Sequence, residues 1–117
     1  MTTVRELVES TAAVIGDRTH ARWLVEVAVS ADRVDDVLDE EVTERMVAHL
    51  DAMVGRYRTG EPLQYVLGRW AFRHLDLFVD ERVLIPRPET EEVAGVAIEF
   101  ARAVEGARTV IDLGTGS

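Results

Sequence analysis

The sequence predicts a mainly α-helical chain: an N-terminal helical bundle over residues 1–68, a β-hairpin and proline-rich linker over 69–88, and the first helix and strand of a truncated α/β domain over 89–117. Three observations predict it. Apolar residues recur at 3.6-residue spacing in several short segments before Gly68, most regularly over 43–58. After Gly68 the pattern turns to aromatic and β-favouring residues and then to prolines. Near the end, 109–113 is a short apolar run of strand type that leads into Gly114-Thr115-Gly116.

The first helix opens on a capping box, Thr3 three residues ahead of Glu6. Its core side is Val4, Leu7, Val8, Thr11 and Val14, and Gly16 stops it. A second helix covers 21–29 with Trp23, Leu24, Val27 and Ala28 inward, and a short one follows near 34–38. The clearest helix, 43–58, buries Met46, Val47, Leu50, Met53, Val54 and Tyr57 before Thr59-Gly60 ends it. Pro62 suits the first position of another short helix, 62–67, because its missing N–H is not needed there, and Gly68 terminates that helix. Short helices with brief connections make a small bundle.

Residues 71–79 read as a hairpin, with Phe72, Leu75, Leu77 and Phe78 around the polar pair His74 and Asp76. Leu84-Ile85-Pro86-Arg87-Pro88 cannot be helical throughout, since each proline pushes the residue before it into extended geometry. A helix resumes near Pro88, with Glu89, Glu91 and Glu92 at its positive end and Val93, Val96, Ala97, Phe100 and Val104 as its buried stripe; Gly106 ends it.

Composition narrows the function classes. The 117 residues carry 22 acidic and 13 basic side chains, a net charge of -9, and no cysteine, which excludes disulfide frameworks, thiolate zinc sites and cysteine nucleophiles. His20, His49 and His74 are the only soft metal ligands, and no metal site is expected. All the basic residues are arginine, so each cation is a permanently charged planar fork suited to carboxylates and amides. The absence of a basic head with an apolar core at the start, and of a long uncharged apolar run, points to a cytoplasmic protein without a membrane partner. Acidity of this degree repels a phosphate backbone, so no direct nucleic-acid partner is expected. Charge is unevenly spread: 32–51 holds eight acids against two arginines, whereas Arg56, Arg58, Arg69 and Arg73 share a stretch whose only acid is Glu61. That contrast reads either as a surface that steers a protein partner or as ordinary solvated charge.

Two segments carry chemistry. Asp112-Leu113-Gly114-Thr115-Gly116 has the form of a strand running into a glycine turn, where backbone approaches a ligand and an acid stands at the strand end to meet a cationic group. Taken alone, it is shared by many nucleotide-binding folds and by plain strand-to-turn exits. Leu84-Ile-Pro-Arg-Pro-Glu-Thr-Glu91 aims Arg87 from a stiff loop, or serves as a rigid linker whose Arg87 pairs with a neighbouring acid.

Gly60-Glu-Pro-Leu-Gln-Tyr-Val-Leu-Gly68, then Phe72, Leu77-Phe78-Val79, Val83-Leu84-Ile-Pro-Arg-Pro-Glu-Thr-Glu91 and Asp112-Leu-Gly-Thr-Gly116, in this order and spacing, resemble the HemK/PrmC family of protein-(glutamine-N5) methyltransferases that act on translation release factors. The resemblance covers the chain weakly over 1–58 and strongly over 60–117. It implies a bundle that helps recognise peptide chain release factors, followed by a class I, Rossmann-like S-adenosylmethionine-dependent methyltransferase domain. On this resemblance Gly114, Thr115 and Gly116 match the cofactor loop, with Asp112 the acid before it, and Pro86, Arg87, Pro88 and Thr90 match a segment near the cofactor and substrate pocket. The family's Asn-Pro-Pro-Tyr, which holds the target amide, has no counterpart in these 117 residues. The resemblance therefore implies the N-terminal part of an enzyme, with no catalytic residue in this part and no activity on its own. Three other readings stay open: a glutamine methyltransferase acting on a ribosomal protein, an adenine DNA methyltransferase that the acidity disfavours, and a non-catalytic helical interaction module ending in a glycine-rich tail.

Overall fold

A computed structural model describes residues 1–116. They form α1 (Val4–Ile15), α2 (Arg18–Val29), a 3₁₀ turn (Val34–Asp36), α3 (Glu44–Arg58), α4 (Leu63–Leu67), β1 (Arg69–Phe72), β2 (Leu75–Phe78) and α5 (Pro88–Ala103). The protein is mainly helical with one antiparallel hairpin. Contacts divide it into two compact units, Met1–Leu67 and the part from Gly68 onward.

In the first unit the helix ends follow local chemistry. The Thr3 hydroxyl accepts from the Glu6 N–H at 3.3 Å while the Glu6 carboxylate accepts from the Thr3 N–H at 2.9 Å, the reciprocal capping box the sequence predicts. Gly16 closes α1 in the left-handed region (φ 75°), and its N–H reaches the Ala12 carbonyl. α2 starts three residues earlier than expected, because Asp17 caps it by accepting from the His20 N–H at 2.9 Å. Thr43 caps α3 through the Met46 N–H at 3.2 Å. The Pro62 carbonyl accepts from Tyr65 and Val66 and so begins α4.

The first N–H groups of α1 are not left to water. Val4 and Arg5 donate to the carbonyls of Glu40 and Leu38, both at 2.9 Å, and Val42 donates to Thr2 at 3.0 Å. The acidic segment is thus a backbone strap across the α1 N-terminus, with Asp39, Glu40 and Glu41 exposed, more than the flank of a helix. Negative charge there also suits the positive end of the helix.

The core is built from Val4, Leu7, Val8, Leu24, Val25, Ala28, Val34, Leu50, Met53, Leu63 and Val66. α2 packs against α1, the 3₁₀ turn, α3 and α4. Two side chains differ from the sequence expectation. Val14 is 55% exposed, because the buried side of α1 ends at Thr11. Trp23 is 37% exposed and Val25 takes the inward place, so the buried side of α2 is Ala21, Leu24, Val25 and Ala28.

In the second unit β1 pairs with β2 in the register Arg69↔Phe78, Trp70↔Leu77, Ala71↔Asp76 and Phe72↔Leu75. Strand alternation places Trp70, Phe72, Leu75 and Leu77 on one face and Arg69, Ala71, Asp76 and Phe78 on the other. Phe78 therefore lies on the face opposite Phe72, Leu75 and Leu77. Its exposure is 77%.

α5 has the predicted start, with Arg87 at the cap position and Pro88 within the first turn. Its apolar stripe is not buried: Val93, Val96, Phe100 and Val104 are all at least half exposed, with Phe100 at 74%. Periodicity creates such a stripe, but burial needs a second surface, and the described residues supply none. The expected strand at 109–113 is likewise not formed; the segment is irregular, and Val110, Ile111 and Leu113 are exposed. A strand exists only through ladder hydrogen bonds to a neighbour, and no described residue pairs with it.

Leu24→Ala should cost the bundle about 2–5 kcal/mol in urea unfolding, since it empties a fully buried site. Val14→Ala should change the same unfolding free energy by less than about 0.5 kcal/mol.

Candidate functional site

The proline-flanked segment is shaped by its own backbone. Arg87 has extended dihedrals (φ -104°, ψ 149°), as the following Pro88 demands, and its carbonyl accepts from the Thr90 N–H at 3.0 Å to begin α5. No side chain caps this end, and Glu89 and Glu91 supply negative charge in the first turn. Pro86 is half-buried, whereas Arg87, Pro88 and Thr90 are exposed. Arg87 forms no ion pair among the described residues, so the pairing with Glu89 or Glu91 that a plain linker would show is not made.

Asp112, Gly114, Thr115 and Gly116 are exposed. Gly114 and Gly116 have φ of 78° and 76°, and a Cβ on either would meet nothing within 4 Å. Glycine is thus required there for conformation and not for space. Among the described residues, no hydrogen bond or ion pair joins this segment to Pro86, Arg87, Pro88 or Thr90. The structure holds two candidate segments, each shaped locally.

Two of the four arginines in the arginine-rich stretch are neutralised by acids. Arg56 grips Glu61 through Nε at 2.8 Å and through Nη2. Arg69 pairs with Asp76 diagonally across the hairpin, whereas the Arg73 guanidinium donates to the Glu91 backbone carbonyl and not to a carboxylate. Arg58 and Arg73 form no ion pair with an acid among the described residues. Elsewhere Arg18 holds Glu9, Arg22 holds Asp35 and Arg82 holds Asp80. Side-chain hydrogen bonds from these arginines, helped by their charge, hold the carboxyls of Glu9, Asp35, Glu61 and Asp80 below the usual range.

Two features of the bundle surface were missed from sequence. Trp23 stacks on His20 with ring centroids 5.6 Å apart, and His20 Nδ1 lies 2.8 Å from the Tyr57 hydroxyl. A recess of about 600 Å³ lies between the end of α2 and the start of α3, lined by Ala28, Ser30, Thr43, Arg45, Met46 and His49. Both join residues from different helices, so no linear motif announces them. Among the described residues, no helix is long and apolar enough to cross a membrane.

The described residues thus form a small bundle of four helices followed by a hairpin and a proline-led helix. Residues 7–68 match the PrmC N-terminal domain, and the chain belongs to that family. Over 103 residues it is 35% identical to the release factor glutamine methyltransferase of Staphylococcus aureus, an alignment covering 86% of this chain and 36% of that protein. The protein of the same name from Gloeobacter violaceus is 39% identical over 105 residues, again with 86% and 36% covered. That from Geobacter sulfurreducens is 32% identical over 123 residues, 98% of this chain and 42% of its own. The chain spans about a third of the length of the first two relatives.

The lowered carboxyls set an acid limit on stability. A carboxyl that binds its proton less readily when folded leaves the unfolded state to take up more protons as pH falls. The stabilisation is present above the unfolded value, about 4, and is lost as pH falls through the lower folded values. The thermal midpoint should therefore drop below about pH 4, and added salt should flatten the dependence because the pairs are exposed.

Proposed function

We propose that this chain is the substrate-recognition domain, with the beginning of the catalytic domain, of an enzyme that methylates the side-chain amide nitrogen of the glutamine in the Gly-Gly-Gln motif of peptide chain release factors. The observation that carries the reading is the match of 7–68 to the PrmC N-terminal domain, supported by relatives whose similarity extends past the bundle and whose names state that activity.

The methyl donor in this reading is S-adenosylmethionine, which would supply an activated methyl on a sulfonium. The residues present fit one edge of such a molecule. Gly114 and Gly116 hold a turn with no side chain in the way, and Asp112 is an exposed acid suited to a cationic group. Thr115 would add a hydroxyl. Pro86, Arg87, Pro88 and Thr90 would line the pocket from the start of α5, with Arg87 as a fork free to meet a carboxylate or an amide oxygen.

An amide nitrogen is a weak nucleophile, so the enzyme must orient the target and stabilise charge on its oxygen. The Asn-Pro-Pro-Tyr suited to that work does not occur in these residues. In this reading residues 1–117 alone bind the factor without methylating it. Because Arg56 is already engaged by Glu61, recognition by the bundle would draw on shape and on side chains such as the part-exposed Trp23 as well as on charge. A helical module with a glycine-rich tail would also leave 109–113 outside a sheet. The similarity to methyltransferases over 86% of the chain favours the enzyme.

The full-length protein, incubated with methyl-labelled S-adenosylmethionine, should label a release factor at the Gly-Gly-Gln glutamine and leave a Gln→Ala factor unlabelled. Label on a ribosomal protein in place of the factor would move the assignment to that substrate. Residues 1–117 alone should transfer none.

A further inference from the structure

Gly95 stands inside α5, where glycine costs about 1 kcal/mol relative to alanine. Its φ is not in the left-handed region, so no turn requires it. The reason is space. A Cβ on Gly95 would lie 2.8 Å from Arg73 Nη1, closer than van der Waals contact permits.

Arg73 is the first of the two residues that turn the hairpin, and it takes the left-handed conformation (φ 52°), uncommon for a residue with a side chain. Two contacts hold it. Its N–H donates to the Glu91 carboxylate at 3.0 Å, and its Nη1 donates to the Glu91 backbone carbonyl at 3.3 Å. In a helix the carbonyl of residue 91 faces the N–H of residue 95 one turn on. The guanidinium that reaches this carbonyl lies over position 95, where a Cβ would make its tip shift.

We propose that Arg73, Glu91 and Gly95 form a clamp that closes residues 74–90 into a loop and positions Arg87, four residues before Glu91. The contact joins the hairpin turn to the first turns of α5. Within the loop, Val83 donates to Asp80 at 3.1 Å and the Arg82 fork grips the Asp80 carboxylate, while Pro86 and Pro88 stiffen the approach to Arg87. With both ends held and the interior stiff, the direction of Arg87 is set by the clamp. Arg73, Glu91 and Gly95 are positioning residues. Their bearing on methyl transfer rests on the function proposed above; the clamp itself does not.

Gly95→Ala separates the alternatives, because the guanidinium can swing aside without unfolding the unit. In the full-length protein, this variant should make α5 amides exchange more slowly, by helix propensity, and the Arg73 amide exchange about tenfold faster. Arg73→Ala should likewise speed exchange at position 73, and the double variant should be no faster than the quicker single one, since both open one contact. An unchanged Arg73 amide in Gly95→Ala, or additive effects, would overturn the clamp. With methylation as readout, Gly95→Ala should raise KM several-fold at a thermal midpoint no lower than the parent's. An open clamp with KM and kcat both unaltered would remove the positioning role. Should the parent protein methylate no glutamine, the proposed function fails, and the exchange measurements still decide the clamp.

Discussion

Leu24 and Val25 lie next to each other on α2 with no exposed surface, and the bundle is organised around that burial. Together with Ala21 and Ala28 they make one side of α2 apolar over two turns, a side broad enough to take α1, α3, α4 and the 3₁₀ turn. None of these elements is long enough to be stable in isolation, and α4 has only five residues. Each borrows stability from the surface α2 offers. Once α1 is seated, its N-terminus is fixed in place, and the carbonyls of Leu38 and Glu40 can satisfy the first N–H groups. A chain of local and tertiary requirements thus converges on a single helix.

Charge plays a different part. With 22 acids and 13 arginines, five of the seven arginines of the bundle find a carboxylate, Arg56 of the arginine-rich stretch among them, as does Arg69. Exposed pairs of this kind contribute little to stability. Their larger effect is to neutralise the surface selectively, leaving Arg45, Arg58, Arg73, Arg87, Arg102 and Arg108 outside the ion pairs formed among the described residues. The glycines divide in a similar way. Gly114 and Gly116 serve conformation, with open space around them, while Gly95 serves a close approach by a side chain twenty-two residues earlier in the chain.

Features that depend on neighbours in sequence were readable from it. Thr3 with Glu6, Thr43, and Pro88 announce helix starts because a cap is made within one turn, and the order of the Gly60–68, Pro86–Glu91 and Asp112–Gly116 blocks carried the family resemblance. The candidate site was named in the same way, as residue types in order. Features that depend on a second surface were not readable. The rotation of α2 that buries Val25 and leaves Trp23 partly outside, the exposure of the α5 stripe, and the unpaired state of 109–113 all follow from what is or is not packed alongside.

By itself, then, the sequence determined the kinds of element, their caps, the family, and the residues that form the proline-flanked and glycine segments, since these are written in spacings of a few residues. Only the tertiary structure decided which face of each helix is buried, which arginines are occupied, and why position 95 is glycine. Those outcomes turn on distances between residues far apart in the chain, such as the contact of Arg73 with Glu91, and no local pattern encodes them.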